Sequence, residues 1–161
     1  MKNYIADSQT VLLNNPILFN GSNSQCRCGC GCSSNKIYHD DGSGVFILSG
    51  KNNSYGSTGN EYQVTFNGNI AIPEGGTVGP IAIAIMVNGE TDVGSRSIYT
   101  PAAVDEYGNV TATTVIKVPK CCGCFTVSVD YVSGIVDDPA GVPAPSILVE
   151  NGNLTIDGKV A

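Results

Sequence analysis

The sequence predicts an all-β domain built as an antiparallel sandwich or jelly roll, and three observations support this. Of the 161 residues, 20 are glycines and only 14% are charged, which is typical of short strands joined by many turns. Segments such as Phe125–Val132 alternate strictly between apolar and polar residues, as a strand with one buried face does. No segment shows a convincing helical period. The length fits one domain with its own core.

The most informative segment is Thr77–Glu90, because seven uncharged apolar residues, Ile81–Val87, stand at its centre. The Asn-Gly pair that follows them is a turn signal, so a strand is favoured over a buried helix. Both faces of this strand are apolar, which indicates that both are covered. The β-branched face suits the sandwich core. The smaller face, with Ala82 and Ala84, suits a second layer or a neighbouring subunit.

The other elements follow in chain order. Met1–Gln9 is expected to be a polar N-terminal arm that reaches a neighbour, and residues 10–161 to be the single jelly-roll domain. Gln9–Asn20 reads as two short strands, and Lys36–Gly50 as a hairpin that turns at its Asp-Asp-Gly. Further strands are predicted at Tyr62–Phe66 with Asn69–Ile72, Arg96–Val104, Asn109–Val118, Phe125–Val132, Ile147–Val149 and Asn153–Ile156.

Charge and hydrophobic patterning argue against nucleic acid, membrane insertion and classical secretion. The net charge is −6, with 8 Lys and Arg against 14 Asp and Glu, so no basic stripe for nucleic acid is expected. No apolar run approaches the roughly 20 residues of a membrane span. Met1–Thr10 lacks the apolar core of a signal peptide, so classical secretion is not supported. The small number of charges favours self-association.

Seven cysteines form two clusters. Cys26, Cys28, Cys30 and Cys32 occupy alternate positions in a glycine-rich loop, which places four thiols on one side of an extended chain. Cys121, Cys122 and Cys124 lie in a predicted tight turn, Pro119–Cys124. Most of the predicted strands of the sandwich separate this turn from the first cluster in the sequence. Three interpretations stay open. One is a zinc site, since Zn²⁺ takes four tetrahedral thiolate ligands. Another is disulfides within or between subunits. Reduced thiols are a third. In a jelly roll the two clusters could meet at one rim.

The remaining candidates for chemistry are few. His39, the only histidine, is close enough in sequence to the first cluster to offer a zinc ligand, but the pattern favours a solvent-exposed turn residue. The pair Asp40-Asp41 and similar acidic pairs lie in turns, where carboxylates bond backbone amides. Tyr55, Tyr99 and Tyr107 are expected to pack in the core or an interface. No pair of residues fits acid–base catalysis, so no enzymatic function is predicted.

The strand order resembles a known family. QTVLLNNPILFN, IYHDDGSGVFIL, EYQVTFNGNI and IAIAIMVNGE are similar, in that order, to the strands of the C1q/TNF-like jelly roll. The blocks IPEGGTVGPI and VPKCCGCFTV resemble small proteins carried by phages and prophages of clostridia-like bacteria. The resemblance covers about residues 9–161. It departs from stalked members in having no Gly-x-y repeat and no heptads, which favours a compact knob.

The resemblance implies a homotrimer and a role as a virion component. We therefore expect a capsid decoration protein that docks on the major capsid protein or other virion subunits and is assembled in the bacterial host cytoplasm. Two alternatives stay open. One is a receptor- or glycan-binding knob of a phage fibre, which would bind through the loops Lys51–Gly59 and Thr91–Ser95. The other is a structural protein of the bacterial spore surface.

Overall fold

A computed structural model describes residues 1–22, 37–120, 123–135 and 141–161. In these ranges the chain forms eleven β-strands, one short 3-10 turn at Val93–Ser95 and no α-helix. The strands are β1 (Lys2–Ala6), β2 (Gln9–Leu12), β3 (Ile37–His39), β4 (Phe46–Ser49), β5 (Gly59–Ala71), β6 (Ile81–Val87), β7 (Glu90–Thr91), β8 (Ser97–Tyr99), β9 (Gly108–Pro119), β10 (Cys124–Ser133) and β11 (Ser146–Val160). Within the same ranges no helix is long and apolar enough to cross a membrane.

The strands form two antiparallel sheets. Sheet 1 has the order β1-β11-β5-β9, and β2 pairs with the other end of β11. Sheet 2 has the order β3-β4-β10-β6-β7, and β8 also pairs with β6. The two sheets pack face to face around one large hydrophobic cluster. The predicted all-β antiparallel sandwich is therefore confirmed.

The core forms because successive side chains of a strand point to opposite faces. In β6, Ile81, Ile83 and Ile85 are fully buried in the main core. Ala82 and Ala84 are also fully buried but belong to a separate small cluster on the other face of the strand. The prediction that both faces of this strand are covered is therefore correct.

The N-terminal residues differ from the prediction of a free arm. Lys2–Ala6 forms β1, which pairs with β11 so that Tyr4 lies opposite Leu154. Tyr4 and Ala6 are buried in the core, whereas Asn3 and Ile5 face outward. Burial alternates from Asn3 to Ala6, but the sequence Lys-Asn-Tyr-Ile-Ala does not alternate between polar and apolar residues. The strand that pairs with it lies about 150 residues away in the sequence. These residues do not form an arm that reaches a neighbour.

Two other strand boundaries also differ from the sequence predictions. The strand expected at Arg96–Val104 ends at Tyr99, just before Pro101, which has no N–H to donate to a ladder. The two predicted closing strands are one continuous strand, β11. An irregularity between Glu150 and Asn153 interrupts its pairing with β5. Asn151 there has a φ of 53°, which an asparagine tolerates better than most residues do.

Candidate functional site

Cys124 and Ile37, the first described residue after the range 23–36, lie at the same rim of the sandwich. Cys124 is the first residue of β10 and is disulfide-bonded. It lies opposite Ser49 in β4, and in the next row Phe125 lies opposite Leu48. Leu48 in turn lies opposite Ile37. Because neighbouring strands are about 4.8 Å apart, Ile37 lies roughly 10 Å from Phe125 in β10.

The other six cysteines, Cys26, Cys28, Cys30, Cys32, Cys121 and Cys122, lie outside the described residues. Among the residues that the structure does describe, no group of three or more His, Cys, Asp or Glu side chains could hold a metal ion. The zinc site therefore stays a prediction. Because Cys124 is disulfide-bonded, its thiol and that of its partner cysteine are not available to a metal ion.

The prediction that His39 is exposed is wrong, because the side chain is fully buried. Its ring stacks on Phe46 at 4.1 Å between centroids and meets Tyr4 edge-on at 5.1 Å. Its Nε2 lies 2.9 Å from the carbonyl oxygen of Ser43, and its Nδ1 contacts the carbonyl oxygen of Gly21. His39 is the last residue of β3, and the alternation turns it inward. With both nitrogens facing carbonyl oxygens, the ring is not free to bind a metal.

The loop Lys51–Gly59 is fastened to the rim that carries Cys124. The Asn52 side chain donates a hydrogen bond to the carbonyl oxygen of Gly59 at 2.7 Å, and Lys120 Nζ donates to the carbonyl oxygen of Ser54 at 3.0 Å. Tyr55 at the tip is fully exposed. The core alternative for Tyr55 is therefore wrong, whereas its packing in an interface stays a prediction, since the ring is accessible to a partner.

An open cleft of about 390 Å³ lies beside the other predicted binding loop, Thr91–Ser95. It runs between β9, the edge of sheet 1, and the β6–β7 turn of sheet 2. Asp92 joins the two edges, since its carboxylate accepts hydrogen bonds from the Gly94 amide at 3.1 Å and from the Thr114 hydroxyl. The polar lining comprises Asn88, Glu90, Thr91, Asp92, Thr114 and Lys117.

The outer face of sheet 2 carries the small apolar cluster of Ala82, Ala84, Met86 and Val132. We call these residues, together with Ile98 opposite Ala82, the alanine face. The alanines are fully buried and Val132 is 8% exposed, whereas Ile98, opposite Ala82, is 50% exposed. Ile98 is therefore the most exposed of these five side chains.

One carboxylate interrupts the alanine face. Asp130 lies opposite Ala84 and is 9% exposed. Its burial raises the pKa of the carboxyl group, and a hydrogen bond from the Ser128 hydroxyl at 2.6 Å partly offsets that effect. Asp130 therefore carries its negative charge in surroundings that solvate it poorly.

The outer face of sheet 1 is mostly polar and, in its middle rows, almost uncharged, although the apolar side chains of Ile5, Leu12 and Val115 are exposed on it. We call it the threonine face: Asn3, Thr65, Asn67, Asn69, Asn109, Thr111, Thr113, Asn153 and Thr155. The Thr65 and Thr113 hydroxyls are 3.0 Å apart, and the Asn67 amide donates to Thr111 at 2.7 Å. At one end, a hydrogen bond from Lys159 lowers the pKa of Glu61. The sequence analysis missed this face, although its outward positions in β5 and β9 alternate with the core residues.

Comparison with known proteins identifies no family for this sequence. No protein-family model matches the sequence, and no curated protein matches it. Among solved structures, one similar chain is the EclA C-terminal domain, described as a sugar-binding protein. It shares 11% sequence identity, with a TM-score of 0.34, over 83% of this chain and 90% of that one. A similarity of this size does not extend the sugar-binding property to this protein.

Proposed function

We propose that the protein is a structural assembly subunit without catalytic activity, a homotrimer that decorates the capsid of a bacteriophage. The observation that carries the assembly role is the alanine face, where the half-exposed Ile98 adjoins buried alanines. A partner that covered Ile98 would extend the buried apolar cluster and remove further apolar surface from water, which favours association. The low charge of the sequence supports the same role. The phage assignment rests on the sequence resemblance alone.

The trimer is tested with a matched pair of variants. Ile98 and Val115 are similarly exposed, at 50% and 55%, but Val115 lies on the outer side of sheet 1. Ile98→Glu would place a charge in the proposed contact, whereas Val115→Glu would leave that contact intact. Native mass spectrometry should show a trimer for the wild type and for Val115→Glu, and monomers for Ile98→Glu. A monomeric wild type at tens of micromolar, or a trimer that Ile98→Glu leaves unchanged, would refute this assembly.

The virion role needs a separate measurement. Quantitative mass spectrometry of purified phage should find this protein in copy numbers comparable to the major capsid protein. A few copies per particle would instead indicate a fibre-tip knob. Absence from virions together with reductant-sensitive extraction from spores would favour the spore-surface alternative.

A receptor- or glycan-binding knob is the second candidate function, and the cleft beside Thr91–Ser95 favours it. Its volume of about 390 Å³ falls in the range of small-ligand sites. Its amide, carboxylate and hydroxyl groups suit the hydrogen bonding of sugar hydroxyls. In an oligosaccharide-array experiment, Glu90→Ala in the cleft should abolish wild-type binding, and Glu74→Ala, an exposed residue outside it, should not. No binding by the wild type would reject this candidate.

A further inference from the structure

The strand β9 forms an edge of sheet 1, since β5 is its one ladder partner among the described strands. Pro119, opposite Gly59, has no N–H, and the next amide, that of Lys120, donates to the carbonyl oxygen of Thr58 at 2.9 Å. In an antiparallel pair every second residue bonds the partner strand, and the residues between direct their N–H and C=O away from it. The even-numbered residues of β9 therefore bond β5, and the odd-numbered ones point outward from the sheet edge.

One half of this edge is covered and the other is open. Near the start of β9 the Tyr99 ring packs directly against Gly108, and the Thr114 hydroxyl donates to the carboxylate of Asp92 at the 3-10 turn. Further along, four consecutive residues, 114–117, line the cleft of about 390 Å³. Because consecutive side chains of a strand point to opposite faces, a strand that lines a cleft with all of them presents its backbone edge to it.

Two residues of this open stretch, Val115 and Lys117, direct their backbone N–H and C=O groups into the cleft. Within the described part of the chain, none of these four groups has a hydrogen-bond partner. Val115 is 55% exposed, and Lys117 is exposed as well. A free strand edge of this kind is a template for pairing with another extended chain.

The wall of the cleft opposite β9 is acidic. Glu90 and Asp92 lie in it, and neither carboxylate forms an ion pair with a described residue. The ammonium group of Lys117, which also lines the cleft, lies 3.9 Å from Glu61 of β5. Two copies of the chain, each with a net charge of −6, would bring like charges together if they paired through this edge. A basic segment would instead be attracted to it.

We propose that the cleft is a docking site for an extended, basic peptide segment of a partner protein. The segment adds as a strand to the edge of β9, exchanges main-chain hydrogen bonds with Val115 and Lys117, and places a Lys or Arg side chain beside Glu90. The stretch 114–117 spans roughly 10 Å, since a strand rises about 3.3 Å per residue. This surface is separate from the alanine face, so the inference does not depend on the proposed trimer.

Amide hydrogen exchange of the full-length protein tests the free edge. After correction for intrinsic rates, the Val115 and Lys117 amides should exchange about tenfold or more faster than the Thr114 and Ile116 amides, which bond β5. The probe is a pool of blocked pentapeptides with lysine at the centre and Thr, Val or Ile elsewhere; a matched pool has glutamate at the centre. At millimolar concentration the lysine pool should slow the exchange of Val115 and Lys117. Equal exchange of the four amides without peptide, or no protection by the lysine pool, would overturn the proposal.

A matched pair of variants tests the strand addition. Val115→Pro removes the outward N–H without removing a bond to β5, and proline is tolerated at such an edge. Val115→Ala keeps the N–H. In an NMR titration, binding of the lysine pool should be lost in Val115→Pro and kept in Val115→Ala, and unchanged binding by Val115→Pro would refute the strand addition. Should that variant not fold, the protection of the wild-type amides decides.

The charge of the segment is tested separately. Glu90→Gln should weaken binding of the lysine pool about threefold, as expected for one exposed ion pair, whereas Glu74→Gln, exposed and outside the cleft, should not. Equal affinity for the two pools would refute a basic partner. Oligosaccharide binding without peptide binding would assign the cleft to a sugar, and a change of oligomeric state in Val115→Pro would assign the edge to a contact between copies. Either result would overturn the proposal.

Discussion

The outer faces of the two sheets differ in chemistry although the sheets pack on the same core. The alanine face of sheet 2 is apolar and largely buried by its own neighbours, with Asp130 as an isolated carboxylate. The threonine face of sheet 1 consists of hydroxyl and amide groups that hydrogen-bond across strands. A strand exposed to water on one side alternates polar with apolar residues, as β5 does, whereas β6 is apolar on both sides. The proposed assembly contact therefore depends on Ile98, the exposed apolar side chain at the margin of the alanine face.

The largest expected effect is that of a charge placed on each face. Ala84→Asp would bury a carboxylate opposite Asp130 and should lower the free energy of unfolding by about 3 kcal/mol or more. The side chain introduced by Thr111→Asp on the threonine face can still accept the Asn67 hydrogen bond. This substitution should therefore change the free energy of unfolding by less than about 0.5 kcal/mol. Urea denaturation of both variants measures the difference. Similar losses would show that the two faces are not distinct in burial.

Reduction should weaken sheet 2 more than sheet 1, because the disulfide of Cys124 lies at the start of β10. Cys124→Ser, or reductant, should lower the free energy of unfolding by about 2–4 kcal/mol. Hydrogen exchange should increase more in β10 than in β11. Treatment of the oxidised wild type with a chelator is the control. Loss of stability with chelator but not with reductant would favour the zinc interpretation for the clusters instead.

Removal of the carboxylate from the alanine face should stabilise the protein. Burial raises the pKa of Asp130, so the folded state favours the protonated group. The free energy of unfolding therefore falls as the pH rises through the range in which carboxyl groups lose their proton. Asp130→Asn should raise the free energy of unfolding by up to about 1 kcal/mol at pH 7, and this gain should shrink below about pH 4. A gain independent of pH, measured by thermal unfolding between pH 3 and 7, would exclude this cause.

The smallest effect concerns the hydrogen bonds of the threonine face. A double-mutant cycle with Thr65→Ala and Thr113→Ala should give a coupling energy of about 0.2–1 kcal/mol, as for other cross-strand pairs. A second cycle with Thr65→Ala and Lys117→Ala serves as the control, because these residues do not lie opposite each other. Its coupling energy should be close to zero. Equal coupling in both cycles would mean that the hydroxyl pair has no specific contribution.

Sequence patterns located most strands and oriented them correctly. In β5 buried residues alternate with outward-facing ones as the sequence predicts, and in β10 Val127, Val129 and Tyr131 belong to the main core, because the period of a strand is local and one residue in two must face the core. In β6 the residues of both faces are buried, as its unbroken apolar run predicts. The Asp-Asp-Gly turn between β3 and β4 and the Asn-Gly turn after β6 were predicted for the same reason, since each depends on adjacent residues.

Other features depended on contacts between distant segments. The strand β1 exists through its pairing with β11, and the His39 environment is assembled from β1, β4 and the segment after β2. The cleft forms where the edges of two sheets meet. By itself, the sequence determined which residues alternate inward and where the chain turns, since these follow from local backbone geometry. The tertiary structure alone decided which segments pair, and thereby that His39 is buried and that Cys124 and Ile37 lie at one rim.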